Sequence, residues 1–511
     1  MRFLKSLVRG NKSYKSGEQA KEVLEHCVST NLSNNLMTIK HLFTEMPDLV
    51  IRNFTISQTS EQAALVYIDG LIDKVSINEH ILHPLLHEYR SNQTSSHPLV
   101  AIGSTRSTCS WLEIEDALFL GYSALFINGR SECILCDSQG WPQRALEEPQ
   151  TESTLKGAHQ GFIETAKQNI ALIRRYIPNR ELKIKELKVG KRGKTQISIL
   201  YLADVVNPEV LREMINRIND IRVDAIINTG EIEELIEDNS FSIFPQLLVT
   251  ERPDAVASHI LQGRIALVVD ASPGVLIGPM TFTSFFQTVD DYSTRWIVAS
   301  TLRLLRFLGL FIAIFLPSLY IAVITFHYEV IPLQLLLTLG QSRAIVPFPP
   351  IIEALMMEIF LEMLREAGLR LPAPVGQAVG IVGGIVIGQA AVQAGLVSNI
   401  MVIVVSMTAI ASFIIPNYDM STSIRLLRFP MMVLAALFGM VGIVVGTMTV
   451  VGHLLSLESL KTPYGTPIGP VNFADHKDTF IRFPMWKLDR RPYSAKPKQL
   501  TRFNWDKDSG E

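Results

Sequence analysis

The sequence predicts a multidomain membrane protein, with two N-terminal α/β soluble subdomains followed by an α-helical transmembrane bundle. Three observations carry this. Up to Tyr292, Lys, Arg, Asp and Glu recur as in an ordinary soluble domain. From Phe307 to Leu455 charges thin out, and apolar runs approach the ~20 residues that cross a bilayer. In the first half, strand-like runs alternate with helical ones, which implies a sheet covered by helices.

A chain of 511 residues is too long for one core, so two or three units are expected. The formal net charge of −2 argues against a nucleic-acid binder. Four cysteines (Cys27, Cys109, Cys133, Cys136) give no disulfide framework in so long a chain. Met1–Gly10 has no apolar stretch of a signal peptide, so the spans themselves are expected to direct insertion.

Residues 1–40 are Ser/Asn/Lys-rich and read as a flexible arm, with one helix around Glu18–Cys27. Residues 41–150 form the first α/β subdomain: Ala64–Ile68 reads as a buried strand, and Asp116–Ile127 and Cys133–Cys136 add apolar pieces. Residues 151–292 form the second. Here Gly161–Ile177, Pro208–Ile218, Glu231–Glu237 and Pro253–Leu261 read as helices. Leu182–Val189, Ile197–Leu202, Ala225–Ile227, Ala266–Val269 and Val275–Ile277 read as strands. No internal repeat is evident. Residues 293–457 form the transmembrane domain, with spans at Phe307–Phe326, Val375–Ala394, Ile400–Ile415 and Met431–Leu455. Residues 458–511 read as a basic, polar tail.

Gly376, Gly380, Gly384 and Gly388 recur every four residues, which puts them on one helix face and lets a neighbouring backbone approach. Gly442 and Gly446 repeat the device in the last span, and Pro317 is expected to kink the first. Gln389 and Gln393 suit hydrogen bonds between helices. In Pro350–Gly368 a helix sets Met356, Phe360, Met363, Leu364 and Ala367 on one face and Glu358, Glu362, Arg365 and Glu366 on the other; Glu353 lies on the apolar side. Two readings fit: a helix lining a cation path shared by several chains, or one lying flat at the interface with its charges in water.

Other motifs carry little. Gly193-Lys-Thr195 lacks the upstream Gly of a phosphate loop and enters a strand, so it reads as a basic hairpin turn. Cys133-Ile-Leu-Cys136 has no second pair, and Pro84 interrupts His80, His83 and His87. Neither catalytic nor metal nor cofactor residues are expected, and no enzyme is read.

Motifs in a fixed order carry a resemblance. Gly161-Phe-Ile-Glu164, Leu172-Ile-Arg-Arg175 and Asn207-Pro208 precede Thr250-Glu-Arg-Pro-Asp254 and Phe285-Phe-Gln287. Arg303-Leu-Leu-Arg-Phe307, Glu353-Ala-Leu355, Ile415-Pro-Asn-Tyr418, Arg425-Leu-Leu-Arg-Phe-Pro430 and Asp478-Thr-Phe-Ile-Arg-Phe-Pro484 follow. From Gly161 to Pro492 the chain resembles the A subunit of the GerA-type spore germinant receptors. Two stretches depart: Asn228-Thr-Gly-Glu231 stands for an Asp-Ser-Gly-Tyr type, and Ala271-Ser-Pro-Gly274 for Gly-Thr-Pro-Phe.

The resemblance implies a receptor of A, B and C subunits in the inner membrane of a dormant spore, triggered by small nutrients that act mainly through a partner subunit. It implies that the A subunit forms a homo-oligomeric, nutrient-gated ion channel in the lipid bilayer. That raises pore lining above interface lying for Glu353, Glu358, Glu362, Arg365 and Glu366. A secondary transporter and a non-conducting scaffold subunit are the alternatives. Arg295, Arg303 and Arg306 before the first span place the soluble half in the cytosol. The basic tail from Arg482 to Arg502 favours the same side and an even number of crossings, which leaves Arg425 and Arg428 outside, against the rule.

Overall fold

The structure, a computed structural model, describes residues 27–57, 59–87, 100–140, 159–372, 383–384, 386 and 388–502. These divide into two compact units. One holds residues 27–237, 247–279 and 490–502; the other holds 238–246 and 280–489.

The first unit contains two five-stranded sheets. In the first, β1 (Leu49–Thr55), β2 (Gln62–Ile68), β3 (Thr105–Thr108), β4 (Ser123–Ile127) and β5 (Cys133–Cys136) run in the order β1-β2-β4-β5-β3, every neighbour antiparallel. Apolar residues alternate to both faces, so both are covered. Helices α1 (Leu32–Leu42) and α2 (Trp111–Phe119) pack on one, with Ile39, Trp111, Phe126 and Cys133 in its core. Lys74–Ser76, the π-helical Ile77–Leu82 and His83–His87 cover the other, with Ile81, Leu85, Leu125 and Cys136.

Residues 1–40, read as an arm, therefore end in a packed helix. Asn31 caps it by accepting from Ser33 N at 2.9 Å, and Leu32, Ile39 and Leu42 are buried. The helix expected at Glu18–Cys27 lies outside the described residues except for Cys27, which pairs with Ser110 in an antiparallel bridge.

The second sheet holds β6 (Leu182–Val189), β7 (Thr195–Leu202), β8 (Leu248–Thr250), β9 (Ile265–Val269) and β10 (Val275–Gly278) in the order β6-β7-β9-β10-β8. Its helices are α3 (Ala166–Tyr176), α4 (Pro208–Asp220), α5 (Thr229–Ile236) and α6 (Pro253–Leu261). The strand expected at Ala225–Ile227 is not one. Its carbonyl neighbourhood is taken by the β6–β7 turn: Arg192 N donates to Asp224 O at 2.8 Å, and Thr195 Oγ1 donates to Ile226 O at 2.7 Å.

The two sheets are one fold unit used twice. Strand order is the same, 1-2-4-5-3 in each. Asn35 and Asn169 occupy the fourth position of α1 and α3, both buried. Each accepts from and donates to the backbone of the residue six before it, Ser29 and Ile163. Tyr67 and Tyr201 end equivalent strands. Asp73 and Asn207 cap equivalent helices. In the second half of each unit, Thr108 and Thr250 accept from the N–H of Ser110 and Arg252. Gly121 and Gly263 both end a helix at φ near +90° (89° and 96°). Pairings β2–β4 and β7–β9 keep one register under these equivalences, as do β4–β5 and β9–β10. The repeat is not evident in the sequence because few equivalent positions keep their residue type, among them Ile39 and Ile173, Ala124 and Ala266, and Leu125 and Leu267.

The second unit is helical. It contains α7 (Trp296–Phe326), α8 (Leu333–Arg343), α9 (Pro350–Arg370), α10 (Asn399–Phe413) and α11 (Tyr418–Ser456), and residues 388–393 are helical too. Of these, α7 and α11 are long and apolar enough to cross a membrane, and α10 is a shorter apolar helix.

The last predicted span, Met431–Leu455, is not one straight rod. Gly439 lies at φ 60°, ψ −138°, outside helical space and cheap only for glycine. A straight helix would hold residues 434 and 446 about 18 Å apart. Instead, a Cβ on Gly446 would lie 2.6 Å from Met431 Sδ and 2.9 Å from Leu434 Cδ1, and one on Gly442 would meet the Leu434 carbonyl. The element is thus a hairpin of two arms, 418–438 and 440–456, and Gly442 and Gly446 are where the arms touch. Pro317 lies inside α7 without ending it.

Candidate functional site

The bundle's direction can be read from its contacts. Gly309 of α7 faces the Ala411 carbonyl of α10, while Tyr320 Oη meets Ser398 Oγ just before α10, so the two helices are antiparallel. The start of α9 lies at that same end: Ser398 N donates to Glu353 at 2.9 Å. The other half of α9 lies by the end of α10, where Arg365 meets Ser412 Oγ at 3.4 Å and stacks 4.7 Å from the Phe413 ring centroid. Helix α9 therefore runs along the bundle beside α10.

Glu353 and Glu358 are buried beside Ala354 and Met357, whereas Ile352, Ile359 and Met363 are exposed, as are Glu362 and Glu366. The carboxylates meet arginines in a ladder. Glu353 pairs with Arg343 of α8 at 3.1 Å. Glu358 pairs closely with Arg428, whose Nε also donates to the Ala313 carbonyl at 2.9 Å. Glu362 pairs with Arg425 at 3.4 Å, and Arg425 donates to Ser421 and Thr422 one turn back. Among the described residues, Glu366 pairs with Arg370 of its own helix, at 2.5 Å and in the open. Carboxylates four apart on α9 thus face arginines three apart on α11, both spacings of one helix face. The sequence reading singled out the acids but missed Arg425 and Arg428 as their partners; the matched spacing was the signal.

The ladder is not saturated. Glu358 Oε1, Arg428 Nη2 and Arg365 Nη1 are buried without a hydrogen-bond partner among the described residues. A buried ion pair is costly to desolvate, and removing one partner costs about 3–5 kcal/mol because the other is left uncompensated.

A second charged cluster sits at the start of α7. Arg303 donates to Asp291 at 3.0 Å and to Asp478 at 2.9 Å, and Arg306 donates to Asp291 at 2.9 Å. Tyr292 donates to Asp478 at 2.6 Å, and burial pushes its phenol far above the ordinary range. Residues from 458, read as a polar tail, are thereby packed: Leu460 and Tyr464 are buried, and the Tyr464 hydroxyl donates to Pro245 O at 2.7 Å.

Of the glycine ladder, Gly376 and Gly380 lie outside the described residues. Gly384 has open space beside it, and Gly388 only grazes Val402; the close approach falls on Gly383, against Leu364 of α9. Gln389 and Gln393 are exposed. The rings of His83 and His87 lie 5.2 Å apart, tilted by 49°, and no group of three or more metal-binding side chains occurs among the described residues. Cys133 and Cys136 lie in the cores on opposite faces of the first sheet, where burial pushes Cys136 up to about 12.

A twice-used α/β unit joined to a helical bundle with arginine–carboxylate pairs buried among its apolar helices defines the class of protein. The family model described as Bacillus/Clostridium GerA spore germination protein matches residues 37–494, and the chain belongs to this family. It is 40% identical over 481 residues to Spore germination protein KA of Bacillus subtilis (strain 168), covering 93% of this chain and 88% of that one. It is 41% identical over 470 residues to the membrane protein YfkQ of the same organism, covering 91% of each. A crystal structure of the N-terminal domain of the A subunit of the Bacillus megaterium spore germinant receptor GerK3 is 30% identical, with a TM-score of 0.40. It covers 50% of this chain and 97% of that one.

Proposed function

We propose that this chain is the A subunit of a nutrient germinant receptor. It sits in the spore inner membrane with B and C subunits and contributes α9 to an ion path at the centre of a homo-oligomer. The observation that carries the proposal is the row of carboxylate–arginine pairs along α9. Glu353 and Glu358 are buried within the bundle while Ile352, Ile359 and Met363 are exposed, a placement that suits a polar path through lipid better than an ordinary soluble helix. Helix α9 runs parallel to its neighbours, which favours this over a helix lying flat. The fold-back at Gly439 adds a crossing at the end of the chain. Residues 490–502 share a unit with residues 27–237, which favours an even number of crossings. Arg425 and Arg428 then begin an outgoing arm near the cytosolic side, in keeping with the positive-inside rule.

In the closed state the arginines neutralise the carboxylates; opening parts them. Purified protein in planar bilayers is expected to conduct cations. Glu362→Gln should reduce cation selectivity, and Glu358→Gln should raise the open probability by freeing Arg428. The charge exchange Glu358→Arg with Arg428→Glu should restore closure. Conductance with unchanged selectivity and gating in all three would sink the pore assignment.

A further inference from the structure

The four thiols of the chain fall into two kinds. Cys133 and Cys136, the pair that a sequence motif would single out, are buried in β5 and point into separate cores, so they neither meet each other nor meet solvent. Cys27 and Cys109 are 82 residues apart in sequence and carry no motif. Both are exposed, and their sulfurs lie 3.4 Å apart. The backbone holds them there: Val28 N donates to Cys109 O at 2.9 Å, and Cys27 bridges to Ser110 as an isolated antiparallel pair. Cys109 closes the edge strand β3 just before α2, and Cys27 lies just before α1, so the two sulfurs join the entrances of two helices that share one face of the sheet.

We propose that Cys27 and Cys109 are a reversible dithiol–disulfide site, oxidised by a peroxide, that locks α1 onto the first sheet. One thiolate attacks the peroxide; the O–O bond breaks, a sulfenic acid forms and the first water leaves. The second thiolate attacks that sulfur, the S–O bond breaks, the S–S bond forms and the second water leaves. Two electrons pass from the two sulfurs to the peroxide, and a dithiol reductant reverses the change. The neighbouring thiol raises the pKa of Cys109, so attack is expected to speed up toward alkaline pH. Closing so long a loop restricts the unfolded chain, so the oxidised form should melt higher.

The test uses the full-length protein in detergent. Before oxidation, an aromatic disulfide reagent should titrate two fast thiols, not four. After mild hydrogen peroxide, fast thiols should fall to none, and digestion without reductant should yield one peptide pair joining Cys27 to Cys109, two hydrogens lighter than the separate peptides. The melting temperature should rise by several degrees, and dithiothreitol should reverse all three changes. In Cys27→Ser and Cys109→Ser the rise should vanish, and the remaining thiol should be trapped as a sulfenic acid by dimedone. Separate oxidation of the two cysteines, a cross-link between two chains, or a disulfide with no shift in melting would each overturn the proposal.

Discussion

At the scale of single residues, the two stretches that depart from the family pattern explain each other. Thr229 Oγ1 lies 2.8 Å from Ser272 Oγ and donates to Gly274 O at 2.7 Å. Where the resemblance leads one to expect Ser and Thr, this chain carries Thr229 and Ser272, so both positions hold a hydroxyl. Gly274 lies against the same pair: a Cβ there would lie 3.0 Å from Val249 Cγ1 and 3.5 Å from Thr229 Oγ1. The neighbouring change is not compensated. Ala271 sits at φ 65°, a left-handed conformation that costs a side-chain-bearing residue about 1 kcal/mol. The equivalent position in the first repeat is Gly129, at φ 90°. Ala271→Gly is therefore expected to stabilise the first unit by about 1 kcal/mol, less the small entropy that glycine loses from its unfolded state. A rise of a few degrees in the first thermal transition would show this; a fall would mean that the Ala271 methyl makes contacts worth more than the strain.

At the scale of elements, what the sequence disclosed and what it hid follow from local against distant causes. Strand β6 and helix α6 were legible to the residue, because each is an apolar or amphipathic run closed by its own turn or proline signals. Helix α9 was legible as amphipathic, but not which face was inside, since that depends on arginines 63 and 70 residues away from Glu362 and Glu358. The hairpin in α11 was hidden because Gly439 is one of several glycines in an apolar run, and nothing local separates a hinge from a packing glycine. The hinge leaves a testable mark. With arms apposed at Gly446, Gly446→Leu places a side chain where Met431 and Leu434 already lie. Overpacking costs about 1–3 kcal/mol, so the arms should splay. Cysteines introduced at Leu434 and Thr447 are expected to cross-link readily in the parent, and at least tenfold less after Gly446→Leu. Equal cross-linking in both would mean that the arms do not need the glycine contact.

At the scale of the molecule, the repeat shows what the end of the chain does. The first repeat is covered by the second: Lys167 reaches Asp69 at 3.4 Å, a Cβ on Gly70 would lie 2.9 Å from Ala171, and Arg174 stacks 5.9 Å from Phe119. The second repeat has no third copy to cover the same places, and residues 490–502 stand in. Lys498 donates to Ala203 O and to Val205 O, at 3.1 and 2.8 Å, on the loop equivalent to Asp69–Leu71. Arg491 donates to Leu261 O at 2.9 Å, the position equivalent to Phe119, and Pro497 lies against Gly263. A terminal repeat in any stacked array needs such a cap, because its open face otherwise exposes apolar surface and unpaired carbonyls. The C-terminal segment, read from sequence as part of a basic, polar tail, is that cap, and its basic residues serve carbonyl oxygens of the second repeat. Truncation after Asp489 should therefore speed backbone amide exchange at Ala203–Asn207 and Leu261–Arg264 by tenfold or more. The equivalent stretches of the first repeat, Asp69–Asp73 and Phe119–Tyr122, should stay protected, because their cap is the second repeat itself. A synthetic peptide of residues 490–502 added in trans should slow the exchange again. Faster exchange in both repeats would mean that the tail supports the whole unit, and no change in either would mean that it caps neither.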